Sequence, residues 1–115
     1  MNGNNMDYKA VNNKINELIN NGIVNPSIGK AKEPVPAKIE AINKHGMKRG
    51  VTQEEAQGFI DNAVVMFDQK TRSLYVSREG NAVLLDKEKR VISAYRKEDF
   101  DDSTKAILEV LNNGG

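Results

Sequence analysis

The chain changes its hydrophobic period near Asn62, and that switch limits what it can fold into. Before it, apolar residues recur at three- and four-residue spacing: Val11, Ile15, Leu18 and Ile19, then Ala56, Phe59, Ile60 and Ala63. After it come short β-branched and aromatic runs: Val64-Val65-Met66-Phe67, Leu74 to Arg78, Val83-Leu84-Leu85 and Arg90 to Tyr95. One period suits a helix face and the other a strand, so helices must precede a sheet. The polar stretches Asp68 to Arg72, Glu79-Gly80-Asn81 and Asp86 to Lys89 are short enough for hairpins, which predicts an antiparallel meander. A last helix is expected from about Asp102 to Leu111, burying Ala106, Ile107, Val110 and Leu111, with Asp101, Asp102 or Ser103 as its cap. The expected fold class is therefore α+β: N-terminal helices, a small antiparallel β-meander, and a C-terminal helix. Elements segregated in this way predict helices packed on one face of the sheet.

Helix ends can be read from local chemistry. Gly22 stops the first helix, and Asn25 to Pro36 reads as a loop rich in Pro, Gly and Lys. Pro36 can open a helix with Ile39 and Ile42 as a narrow apolar stripe, closed by His45 and Gly46. Thr52-Gln53-Glu54-Glu55 forms a capping box that starts the next helix. This organises the chain as an N-terminal helix and linker over 1–35, followed by a single α+β domain over 36–115. The ends, Met1 to Asn5 and Asn112 to Gly115, are Asn- and Gly-rich and expected to fray.

Composition narrows the function classes. A chain of 115 residues with 38% hydrophobic and 29% charged residues reads as one ordinary globular domain. No apolar run approaches a membrane span, and the N-terminus lacks an apolar core of the signal-peptide kind. The absence of cysteine excludes disulfides, thiolate metal sites and cysteine nucleophiles. A formal net charge of +1 gives no global nucleic-acid signature. Charge is unevenly spread, however: acids gather at Glu54-Glu55 and from Glu98 to Asp102, whereas Lys38 to Arg49 holds a single acid, Glu40.

The single histidine, His45, lies in the cationic cluster Lys44-His45-Gly46-Met47-Lys48-Arg49, just ahead of the Thr52 helix start. Histidine alone has an unperturbed pKa that lets it exchange protons near neutrality, and the adjacent cations suit a phosphate. A lone histidine at a helix end is also an ordinary cap, and Lys48-Arg49 an ordinary turn. Alternation along the strands points Leu74, Val76, Ile92 and Ala94 at the helices and leaves Tyr75, Ser77, Ser93 and Tyr95 on the other face. A half-solvated sheet face carries such residues without any function. Taken together, these parts suit RNA cleavage by 2′-hydroxyl attack, which needs a proton acceptor, a proton donor and cations for the developing phosphate charge. One histidine rules out a two-histidine mechanism, so its partner must be Tyr, Lys, Glu or a polarised hydroxyl. Tyr75 and Tyr95 are the first candidates, with Arg49, Arg78 or Lys48 neutralising phosphate.

Other chemistries are less well served. One histidine and no cysteine argue against zinc. The acids Asp99, Asp101 and Asp102 lack EF-hand spacing and precede a helix, where capping suffices. No Gly-rich phosphate loop and no Gly-x-Ser-x-Gly elbow is present.

The stretch from Lys44 to Leu111 resembles the small nuclease toxins of the barnase–EndoU–colicin–RelE group. These occur as C-terminal domains of bacterial contact-dependent and other polymorphic toxins, and fused to phage head proteins. The resemblance is carried by Lys44-His45, by Thr52-Gln53-Glu54-Glu55-Ala56 leading into Phe59-Ile60-Asp61-Asn62-Ala63, and by Leu74-Tyr75-Val76-Ser77-Arg78-Glu79-Gly80. It ends with Val91-Ile92-Ser93-Ala94-Tyr95 and Asp99-Phe100. It implies a curved antiparallel sheet whose concave face cleaves RNA, often tRNA, without metal or cofactor. It implies further a cognate immunity protein and delivery as the C-terminal part of a larger toxin that acts in the target-cell cytoplasm. Carried over, His45 is the acid/base, Arg49 or Arg78 stabilises phosphate, and Tyr75, Ser77, Ser93 and Tyr95 line the site. Two other readings compete: a non-enzymatic α+β interaction module, and a different acid–base transferase or hydrolase.

Overall fold

The structure, a computed structural model, describes residues 6–42 and 50–113. Helix α1 (Tyr8–Asn20) starts at Asp7, whose carboxylate accepts from the Ala10 N–H at 3.1 Å, and it buries Val11 and Ile15. The chain leaves α1 through Gly22 at φ 77°, a left-handed conformation that suits glycine. A 3₁₀ turn (Pro26–Ile28) then leads into strand β1 (Lys30–Lys32). The stretch expected to be a loop thus contributes a strand. It is short because its partner β3 meets it over only three residues.

The helix expected from Pro36 does not form in the described residues. Residues 33–40 form an irregular strap, and Ala41–Ile42 is strand β2. Two causes act together. Pro34 and Pro36 push Glu33 and Val35 out of the helical region. In addition, the strap finds its hydrogen bonds elsewhere: the Gln57 amide donates to the Ala37 carbonyl and accepts from the Ile39 N–H, both at 2.8 Å. Ile39 is buried as the stripe required, but against strands and α2.

Helix α2 (Gln53–Asp61) has the expected capping box: Thr52 Oγ1 accepts from the Glu55 N–H at 3.1 Å, and Glu55 accepts from the Thr52 N–H at 3.3 Å. The meander follows as β3 (Val65–Asp68), β4 (Arg72–Val76), β5 (Asn81–Asp86) and β6 (Arg90–Arg96). A 3₁₀ turn (Lys97–Asp99) leads to helix α3 (Asp102–Asn112), capped by Asp101. The fold is α+β, with six strands in the order β1-β3-β4-β5-β6-β2. All pairs are antiparallel except β2 on β6.

Helices cover both faces of this sheet, not one. On the first face Val65, Phe67, Leu74, Val76 and Ala82 pack with Val11 and Ile15 of α1 and Ile107 and Leu111 of α3. On the second, Met66, Tyr75, Val83, Leu85, Val91 and Ala94 pack with Ala56 and Ile60 of α2 and with Ile39 of the strap. Both faces of the central strands are therefore apolar: β3 buries Val65, Met66 and Phe67 in succession, and β4 buries Leu74, Tyr75 and Val76. Such runs mark strands enclosed between layers. Residues before position 36 share the first core, through α1, Val24 and Ala31.

Candidate functional site

Register decides which of the expected site residues can meet. Tyr75 pairs with Val83, which pairs with Ala94; Val76 pairs with Ala82, which pairs with Tyr95. Cross-strand partners share a face. Tyr75 therefore lies on the α2 face, whereas Ser93 and Tyr95 lie on the α1/α3 face with Leu74 and Leu84. The expected common face for Tyr75, Ser77, Ser93 and Tyr95 does not exist. Alternation gives the faces within one strand but not the phase of β6 against β4. That phase is set by the pairing and by an irregularity at Leu84/Leu85, where the register steps from Ser93 to Val91 past Ile92.

Three of the expected residues are committed to the fold. Tyr75 is buried, and its hydroxyl donates to the Val35 carbonyl at 2.8 Å, fastening the strap over the second core. Burial, then the negative charge of Asp68, pushes its phenol above the usual tyrosine range, so it stays a neutral donor. Ser77 is fully buried, and its Oγ accepts from the Asn81 N–H at 3.2 Å within the β4–β5 hairpin. Arg78 donates to the Leu111 carbonyl, and its own carbonyl accepts from the Asn112 amide at 3.1 Å. A cation on the last carbonyls of α3 is a C-terminal cap, where helix charge favours it.

His45, Lys48 and Arg49 lie outside the described residues. The described chain on either side of them is held to one strand: Ile42 pairs with Val91 of β6, and Glu55 accepts from Arg96 at the end of β6 at 2.7 Å. That hydrogen bond, ahead of the one from the Thr52 backbone, lowers the Glu55 carboxyl below its ordinary value.

Tyr95 opens into a cleft of about 290 Å³ on the α1/α3 face. Leu74, Leu84 and Phe100 form its apolar wall. Arg72, two residues before Leu74 and hence on the same face, supplies a cation. Asp99 and the start of α3 also line it. The Asp101 carboxylate there accepts from the Thr104 N–H at 2.8 Å and the Thr104 hydroxyl at 2.7 Å, and these bonds hold it below the usual range. Compared with known protein families, curated proteins and solved structures, the chain matches none. The cleft must be judged on its own chemistry.

That chemistry combines a phenol, a guanidinium, two carboxylates and an apolar wall. Arg72 is not among the residues expected at a site, and Asp99 is expected only as one of the acids ahead of α3. Arg72 was legible, since alternation from Leu74 places it on the same face, but Asp99 comes into place only through the 3₁₀ turn after β6. Among the described residues no group of three or more acids or histidines converges as a metal site, so Asp99, Asp101 and Asp102 do not form one. No described helix is long and apolar enough to cross a membrane.

Proposed function

We propose that the chain is a metal-independent endoribonuclease of the toxin type, neutralised by a cognate immunity protein, with tRNA among its substrates. The observation that carries this reading is the placement of Tyr95 in an open cleft beside Arg72, on the side of the sheet that Tyr75 does not share. A phenol and a guanidinium in one cleft supply a proton donor and a cation for phosphate. His45, in the basic cluster that follows β2 in the sequence, is the proposed proton acceptor. In the reaction, the 2′-oxygen bonds to phosphorus as His45 takes its proton, and the bond from phosphorus to the 5′-oxygen breaks. Tyr95 protonates that leaving oxygen. The products are a 2′,3′-cyclic phosphate and a 5′-hydroxyl, and no metal is required.

The test is incubation of the protein with total RNA, resolved on a denaturing gel, with His45→Ala alongside and the product ends analysed. Cleavage giving cyclic phosphate ends, absent in the variant, supports the reading. Intact RNA, tRNA included, in the presence of folded protein overturns it in favour of a protein-interaction module.

A further inference from the structure

We infer that Asn21 is a self-modification site: the backbone nitrogen of Gly22 attacks the Asn21 side-chain amide and converts it to aspartate or isoaspartate, at a rate set by the closing turn of α1. In the reaction a bond forms from the Gly22 nitrogen to Asn21 Cγ. That nitrogen gives up its proton to water, and the side-chain nitrogen leaves as ammonia. Water then opens the resulting succinimide at either of its carbonyls, giving aspartate or isoaspartate. Water is the only co-reactant.

The chemistry needs an exposed amide followed by an unscreened nitrogen. Asn21 and Gly22 are both exposed, and a Cβ added to Gly22 would find no atom within 4 Å. The folded turn opposes the reaction in two ways. Asn21 has ψ 2°, so the Gly22 nitrogen eclipses the backbone nitrogen of Asn21 and faces away from its side chain. The Gly22 N–H is also engaged, donating to the Ile19 carbonyl at 3.0 Å, while the Ile23 N–H donates to the Leu18 carbonyl at 2.9 Å. These bonds make a Schellman motif. Attack therefore waits on local opening of the last turn, which costs less than global unfolding. The product works against the fold. It places a negative charge just past the C-terminal end of α1, where the helix carbonyls are already negative and the last turn holds no basic residue. Isoaspartate also routes the main chain through Cβ, ahead of the N–H groups that close the helix. Val24 follows, buried in the first core, so the change reaches the connection from α1 to β1.

The experiment incubates the full chain in mildly alkaline buffer, folded and in guanidinium chloride, and follows the tryptic peptide 15–30 by mass spectrometry. That peptide separates position 21 from the other Asn-Gly pairs, Asn2-Gly3 and Asn113-Gly114, and fragment ions place the change within it. Position 21 should react in both samples, and more slowly by about tenfold or more in the folded one. Amide exchange at Gly22 should show protection of the same order. Gly22→Ala should slow the reaction in guanidinium chloride, where the fold plays no part. The modified chain, isolated by ion exchange, and Asn21→Asp should both unfold at lower denaturant than the parent. A folded chain that never reacts at position 21, or that reacts as fast as the denatured one, overturns the inference. So does a denatured chain whose rate Gly22→Ala leaves unaltered. An unchanged midpoint in both the modified chain and Asn21→Asp overturns the claim that the product loosens α1.

Discussion

The side-chain amide of Asn12 pairs with both backbone groups of Ala31: its Nδ2 donates to the Ala31 carbonyl at 2.9 Å, and its Oδ1 accepts from the Ala31 N–H at 2.8 Å. β1 is an edge strand, and its outward peptide groups would otherwise template another strand. One helical side chain thus stands in for a missing strand, with Lys30 and Lys32 on either side discouraging approach. Asn12→Ala should lower unfolding free energy by about 2 kcal/mol, because two partly buried peptide groups lose their partners. Urea unfolding measures this, and light scattering should show increased self-association. An unchanged midpoint would mean that water replaces the amide at no cost.

The two tyrosines should separate stability from activity. Tyr75→Phe removes the hydrogen bond to Val35 and should cost about 1 kcal/mol while leaving RNA cleavage intact. Tyr95→Phe should leave the unfolding midpoint nearly unchanged and slow cleavage by about a hundredfold or more. The reverse pattern would put the site on the α2 face.

Gly29 tests how closely β1 docks. At φ 86° it places its Cα so near the β3–β4 turn that a Cβ would stand 2.3 Å from the Asp68 carbonyl oxygen. Backbone must move to admit it, and the left-handed conformation is itself costly for alanine. Gly29→Ala should destabilise by about 2 kcal/mol and weaken amide-exchange protection in β1 and at the end of β3. Unaltered protection at Ala31 would refute the account.

Much of this was legible from residue order. The period switch at Asn62 separates α2 from the meander, the Thr52 box marks the start of α2, and Asp101 caps α3. Each is a local signal that acts over a few residues. What escaped depends on contacts distant in sequence. The strap at 33–40 is held by Gln57 and Tyr75, from elements formed later in the chain. The opposition of Tyr75 and Tyr95 follows from register across β5. Enclosure of both faces was visible in part, since Val64 to Phe67 and Val83 to Leu85 are unbroken apolar runs without alternation.

Asp101 fixes a pH dependence. Its folded pKa lies below the unfolded value of about 3.8, held down by the hydrogen bonds from Thr104. A depressed carboxyl stabilises the fold above its unfolded pKa, and that contribution disappears as pH falls through the folded pKa. Stability should therefore fall between about pH 5 and pH 2. In Asp101→Asn, which keeps an acceptor for the Thr104 N–H, the acid limb should flatten. Denaturant midpoints across that range decide it; equal slopes in the two proteins would assign the acid loss elsewhere.

His45 carries the strictest prediction, because the chain has no second histidine to replace it. General acid–base groups contribute about 10² to 10⁴ in rate, so His45→Ala should lower RNA cleavage by that factor. Its unfolding free energy should stay within about 0.5 kcal/mol of the parent's. Arg49→Ala provides the companion measurement. If Arg49 holds a phosphate, affinity for RNA should drop and the slope of log affinity against log salt should shrink by about 0.7 to 0.9. Full activity in His45→Ala would leave the proposed reaction without its proton acceptor and end it as a mechanism. An unchanged salt slope in Arg49→Ala would remove only that residue from the phosphate path.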